Sequence, residues 1–252
     1  MPQSVDRALD VLDAVAAADG PVPAKALARR LGCGLSTVYE LLGTLTERGH
    51  LVRTSSGYLL GYRVPSLHHA FQRQMRMTDE VQELLLEGRR AAGVDTYFST
   101  YRDGGIAVLA ASAQAHPATG GFTVGRDTTP HATAHGKVLL AALPRAVRLR
   151  HLAASGMRAV TPRTITSPER LDAQLHTVRR EGVAVEVEEC APGVACIAVP
   201  VPAPGAPTAV SAALPLEEFH RRGRQVTEAI RQVAERAAKF RGTHDITRAT
   251  GG

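Results

Sequence analysis

Residues 35–51 read LSTVYELLGTLTERGHL, and the fold turns on this stretch. Val38, Leu41, Leu42 and Leu45 recur at helical spacing and define one buried face. Gly49 stands where a glycine usually closes a helix, so the element ends near Arg48. Opposite the apolar face lie Ser36, Glu40, Gly43 and Glu47, flanked by Thr37, Tyr39 and Thr44. A small, polar side of this kind suits a DNA major groove, where residues near the helix N-terminus reach base edges. An ordinary solvated helix presents a similar side, so the neighbouring sequence has to decide.

Upstream, Ser4 is positioned to cap a helix whose apolar residues are Val5, Ala8, Leu9, Leu12, Val15 and Ala16. The run ADGPVP breaks it, and Pro23 suits the first turn of a short second helix, AKALARRL. Gly32 and Gly34 bracket a tight turn into the third helix, which completes a helix-turn-helix. Downstream, HLVRTSSGYLLG reads as two short strands around Ser55-Ser56-Gly57, a hairpin that forms a wing. Residues 1–64 are therefore expected to be a winged helix-turn-helix domain. The chain carries a net charge of +6; within residues 21–65, Lys25, Arg29, Arg30, Arg48, Arg53 and Arg63 face only Glu40 and Glu47. Such a balance permits an anionic partner.

A length of 252 residues accommodates two domains, and 44% hydrophobic with 21% charged residues matches a globular protein. No apolar run approaches the roughly 18 residues a membrane span needs. MPQSVDRALD lacks a basic segment followed by an apolar core, so a cytoplasmic protein is expected. Cys33, Cys190 and Cys196 have no paired-cysteine spacing, which favours reduced thiols over disulfides; no metal and no cofactor are expected.

Residues 65–78 read as a connecting helix, and Thr78 or Asp79 caps the next helix, which carries Val81, Leu84 and Leu85. TYFSTYRDGGIAVLAA then reads strand, turn, strand; VAVEVEEC alternates apolar and polar residues; CIAVPV and TAVSAAL read as buried strands. Helical runs near HGKVLLAAL and SPERLDAQLHTVRREG interrupt them, the second with Ser167 as cap, Pro168 in the first turn and Gly182 past the end. The expectation is an α+β protein whose second domain, residues 79–241, has an antiparallel sheet with packed helices. A last helix spans about 217–240, and residues 242–252 are expected to be a disordered tail.

SVDRALDVLDAVAAADGPVPAKALARRLG, STVYELLGTLTERGHLVR and GYLLG resemble the DNA-binding domain of the IclR family of bacterial transcription regulators. PHATAHGKVLLAALP, TPRTITSPERLDAQLHTVRREGVAVEVEE and GVACIAVPV resemble that family's effector-binding domain. The resemblance implies a winged helix-turn-helix joined to a GAF-like or profilin-like sensor domain, in a homodimer or dimer of dimers. It implies binding to double-stranded operator DNA without catalysis or membrane attachment. It also implies control by a small organic-acid or aromatic effector, with repression as the leading mode.

In DNA binding, the family usually has Arg where this chain has Glu40, and often a polar or basic residue at Leu35. Phosphate contacts then fall to Lys25, Arg29, Arg30 and Arg53, with Ser36, Thr37 and Tyr39 as hydroxyl donors. Glu40 either accepts a hydrogen bond from a cytosine amino group or pairs with a nearby Arg. For the effector, His131, Thr133, Ala134 and His135 open a helix whose free N–H groups suit an anion. The resemblance places Glu186, Glu189, Gly193 and Cys196 on the opposite wall. It puts Ala212 and Leu214 where the family often has serines, which implies a more apolar end to the pocket. Two other readings stay open: an enzyme using Cys196 and the histidines, and a regulator that acts without ligand.

Overall fold

The structure, a computed structural model, describes residues 3–74, 79–113, 122 and 124–243. It divides into two compact units, Met1–Met77 and Thr78–Gly252.

The first unit contains helices α1 (Gln3–Ala16), α2 (Ala24–Leu31) and α3 (Leu35–Glu47), strands β1 (Leu51–Arg53) and β2 (Tyr58–Leu60), and helix α4 (Arg63–Gln74). Val11, Ala14, Val15, Leu27, Val38, Leu42, Leu45, Leu51 and Tyr58 form its core. Gly32 and Gly49 both take left-handed conformations, at φ 60 and φ 74, and so release the chain from α2 and α3. The wing is pinned at its base: Val22 and Tyr58 exchange backbone hydrogen bonds of 2.9 and 3.0 Å, and a Cβ on Gly57 would strike the Val22 backbone. Three details differ from the sequence expectation. Ser4 lies inside α1, so it is not the cap. Val11 and Ala14 are buried, while Val5 and Leu9 stand 53% and 55% exposed, because α2 and α3 pack against a different side of α1. The connecting helix begins at Arg63, ahead of the expected 65; Thr78, one of the two proposed caps, lies outside the described residues.

The second unit is built on six antiparallel strands in the order β5-β4-β3-β8-β7-β6. These are β3 (Thr96–Arg102), β4 (Gly105–Ala111), β5 (Gly125–Asp127), β6 (Ala184–Val187), β7 (Val194–Pro200) and β8 (Thr208–Pro215). Asp103 and Gly104, both at positive φ, make the two-residue turn that joins β3 to β4. Helices α5 (Asp79–Ala92) and α9 (Leu216–Thr243) cover one face of the sheet, and α6 (Ala134–Ala142) and α8 (Pro168–Glu181) the other. α7 (Arg145–Ser155) was not anticipated; it is rich in arginine and is tied to α8 by Arg148 and Asp172 at 2.6 Å. The caps of α8 are as read: the Ser167 hydroxyl accepts the Arg170 N–H, and Gly182 is left-handed at φ 64. α9 bends at Arg222 and runs to Thr243, into the segment expected to be tail; residues 244–252 lie outside the described residues.

Register assigns side chains to faces. Thr96 donates to the Leu85 carbonyl of α5, and its cross-strand partner is Ala212. The next residue along, Tyr97, belongs to the core under α6 and pairs with Ser211. The α6 face of β7 and β8 therefore carries Cys196, Ala198, Ala209, Ser211 and Ala213.

Candidate functional site

Helix α3 sorts its residues cleanly. Val38 and Leu42 are fully buried and Leu45 nearly so, whereas Ser36, Glu40, Gly43, Thr44 and Glu47 are exposed. Leu35 and Tyr39 add exposed apolar surface at 37% and 50%, and Thr37 is half-buried. Lys25, Arg29 and Arg30 on α2 and Arg53 at the end of β1 are all exposed. Among the described residues no ion pair engages these four cations or Glu40. The chain thus displays one polar helix face with unneutralised cations on α2 and the wing, a pattern suited to duplex DNA.

In the second unit the chemistry gathers where α6 begins. Thr133 is its N-cap: the hydroxyl accepts the Gly136 N–H at 3.1 Å and donates to Asp127 Oδ2 at 2.7 Å. His135, fully buried, sets Nε2 3.0 Å from the same oxygen, and its ring meets Phe122 edge-on at 4.5 Å. Asp127 Oδ1 accepts the Thr129 N–H at 2.7 Å. Burial would raise this carboxyl, but the hydrogen bond from His135, with the Thr129 and Thr133 donors, outweighs it and holds Asp127 below the usual carboxylate range. His131, also fully buried, lies with Nε2 2.9 Å from the Arg158 carbonyl, which ties the helix start to the loop after α7.

One more buried charge follows along α6. Lys137 is completely buried and reaches Glu189 Oε1 at 2.5 Å. Burial lowers its basicity, an effect opposed by Glu189 and, more weakly, by Glu186 and Cys196. Glu186 pairs across the strands with Cys196, and one of its oxygens accepts the Glu189 and Cys190 N–H groups at 2.8 and 3.3 Å. Burial raises its carboxyl despite those donors. The Cys196 thiol is pushed well above its ordinary range by burial and by the adjacent Glu186, which keeps it protonated and a poor nucleophile. Glu189 is itself strapped down: its carbonyl accepts the Thr164 hydroxyl at 2.7 Å and its Oε2 the Ile165 N–H at 3.3 Å.

His131, Thr133, Ala134 and His135 are thus brought together with Glu186 and Cys196 on one side of the sheet, with Lys137 and Glu189 between them. Ala212 and Leu214 are not part of this group. Their partners Ile197 and Ala195 belong to the opposite face, under α9, because a one-residue slip of register moves every side chain through the sheet. The β8 residue on the α6 side is Ser211, so the expected apolar end is replaced by a hydroxyl. Gly193 turns the β6–β7 loop at φ 73 and donates to Glu188 Oε1 at 2.9 Å, away from this group. Sequence reasoning passed over Asp127, Lys137, Ser99 and Ser211. The one available signal was a lysine inside the otherwise apolar run GKVLLAAL.

Five polar atoms of this group are buried without a hydrogen-bond partner among the described residues: Ser99 Oγ, Ser211 Oγ, His131 Nδ1, His135 Nδ1 and Glu186 Oε1. Ser99 pairs with Val108 and Ala209, and Ser211 with Tyr97 and Ala198, which places both serines on the α6 side. Buried polar groups are rarely left so.

Comparison with known proteins agrees. The model for the IclR helix-turn-helix domain matches residues 4–55, and that for the bacterial transcriptional regulator IclR C-terminal domain matches residues 70–239. The chain is 31% identical over 202 residues to the HTH-type transcriptional regulator XynR of Escherichia coli (strain K12), covering 79% of this chain and 80% of that protein. The crystal structure of Thermotoga maritima IclR shares the fold at a TM-score of 0.73 and 22% identity, over 96% of this chain and 100% of that one. An IclR homolog from Microbacterium hydrocarbonoxydans, crystallised in complex with 4-hydroxybenzoate, does so at a TM-score of 0.71 and 21% identity, over 94% and 98%. With both of its units matched and its strand order and helix faces in place, the chain belongs to the IclR family of DNA-binding bacterial transcriptional regulators.

Proposed function

We propose that this regulator is a homodimer, or a dimer of dimers, whose grip on an operator is set by a small organic acid or aromatic metabolite bound on the α6 side of the sheet. In this reading residues 1–64 hold DNA and add a second self-association face on α1, 65–78 connect, and 79–241 bind effector and oligomerise. The observation that carries it is the set of five unpartnered buried atoms, Ser99 Oγ, Ser211 Oγ, His131 Nδ1, His135 Nδ1 and Glu186 Oε1, on one side of the sheet. The neighbour that holds 4-hydroxybenzoate supports an aromatic acid of that size. Self-association is supported by Val5 and Leu9, one turn apart on α1 and both more than half exposed at 53% and 55%.

On DNA, α3 enters the major groove with Leu35, Ser36, Thr37, Tyr39 and Glu40 leading, while Lys25, Arg29, Arg30 and Arg53 meet phosphates. Glu40, free of any ion pair among the described residues, accepts a hydrogen bond from a cytosine N4 amino group. Binding without effector and release with it makes the protein a repressor. The test is an electrophoretic mobility shift on the promoter beside its own gene, across a salt series. Replacing Arg29 and Arg30 together by Ala should weaken binding on all sequences and flatten the salt dependence of a bound dimer by about 4 in slope, two contacts from each subunit. Glu40→Gln should instead relax preference at one base pair, worth roughly 1–3 kcal/mol. A base preference unchanged at every position would reject the Glu40 assignment.

A further inference from the structure

The tautomer of a buried imidazole is set by what each nitrogen faces. Asp127 is ringed by donors: the Thr129 N–H on Oδ1 at 2.7 Å, and on Oδ2 the Thr133 hydroxyl at 2.7 Å and His135 Nε2 at 3.0 Å. The single Thr133 proton is directed at Asp127, since the Thr133 oxygen is already accepting from Gly136. An ionised carboxylate has no proton to give, so the proton between Asp127 and His135 sits on Nε2. In the neutral form of the ring, Nδ1 then keeps a bare lone pair. That atom is buried, on a side chain with 0% exposure, and has no partner among the described residues. Phe122, edge-on to the ring at 4.5 Å, supplies no acceptor or donor and limits its rotation.

Resting on the effector-site reading above, we propose that His135 determines effector specificity by accepting a hydrogen bond at Nδ1 from a hydroxyl group of the bound molecule. Asp127 is the positioning residue that keeps Nδ1 an acceptor. The effector class is thereby narrowed to hydroxylated acids, aromatic or aliphatic, and the same skeleton without its hydroxyl leaves the buried lone pair unpaired and is discriminated against. A carboxylate cannot fill this position without a proton on Nδ1, so the acid group of the effector docks elsewhere in the site. Ser99, Ser211 and Glu186, also unpartnered, are the groups left to meet the rest of the molecule.

The experiment is long-range proton–nitrogen correlation of the imidazole rings in the full-length wild-type protein at neutral pH, with His135 assigned through His135→Gln. Titration follows with matched probes: 4-hydroxybenzoate and 3-hydroxybenzoate against benzoate, and glycolate against acetate. The free wild type should show a protonated Nε2 and an unprotonated Nδ1. Asp127→Asn should exchange the two, because its amide can donate to Nε2. At least one hydroxylated probe should bind at least about tenfold more tightly than its deoxy partner and shift the Nδ1 resonance. In Asp127→Asn that preference should fall to about twofold or less. A protonated Nδ1 in the free protein, a ring doubly protonated on binding, or equal affinity within every probe pair overturns the proposal while leaving the effector site standing. If no probe perturbs any residue of the α6 face while operator binding is intact, the effector-site reading falls and this assignment falls with it.

Discussion

Cys190 follows β6 in a half-buried position beside Glu186, and its thiol is pushed up to about 12 by burial and by the nearby carboxylates of Glu186 and Asp127. At pH 8 an ordinary free thiol near pKa 8.5 is roughly one quarter thiolate, whereas Cys190 should be almost wholly protonated. Alkylation by iodoacetamide at that pH, followed by peptide mass mapping, should therefore modify Cys190 roughly 50-fold more slowly than a free-cysteine peptide, the scarcity of thiolate outweighing its greater nucleophilicity. Labelling at the free rate would mean that the loop opens and the carboxylates do not face the thiol. The same paired burial decides Glu186. In the sequence VAVEVEE the valines look like the inward residues, yet Ala184 and Glu186 are buried and Val185 and Val187 only half so. A strand that buries its acid in preference to its valines departs from simple patterning, as functional faces do.

At the level of elements, the start of α6 has the least room for change. A Cβ on Gly136 would collide with the Pro130 carbonyl and the Thr133 hydroxyl that caps the helix and holds Asp127. Gly136→Ala should therefore cost about 1–3 kcal/mol of stability by forcing the cap apart. Urea unfolding of the variant against wild type measures this, and a midpoint within error of wild type would show that the helix start can shift freely. Much at this level was legible from local chemistry alone: the caps of α8, the left-handed glycines after α2 and α3, and the Asp-Gly turn between β3 and β4 all depend on residues within one turn of each other. α7 and β5 were not legible: arginines interrupt the apolar pattern of α7, β5 has only three residues, and each is held by a distant partner, Asp172 for α7 and the β4 edge for β5.

Across the whole molecule, the exposed Val5 and Leu9 on α1 separate a folded chain from an assembled one. Changing both to Ser removes apolar surface that the core does not use, so the fold should survive unchanged by circular dichroism. Light scattering should then report a smaller assembly than wild type, and operator affinity should fall at least about tenfold as paired half-site binding is lost. An unchanged mass would move the self-association surface off α1.

The amino-acid order alone determined the winged helix-turn-helix, the antiparallel α+β second domain and the outward polar face of α3, because each follows from periodicity, turn chemistry and caps that act over a few residues. Only the family resemblance, and no local pattern, singled out Glu186 and Cys196. What only the tertiary structure decided was which side of a sheet each residue serves. β8 reads equally well in either register, and pairing with β3 and β7 put Ser211, and not Ala212 or Leu214, under α6. The Asp127–His135 and Lys137–Glu189 pairs likewise join residues 8 and 52 positions apart, and no local pattern can announce a contact made by packing.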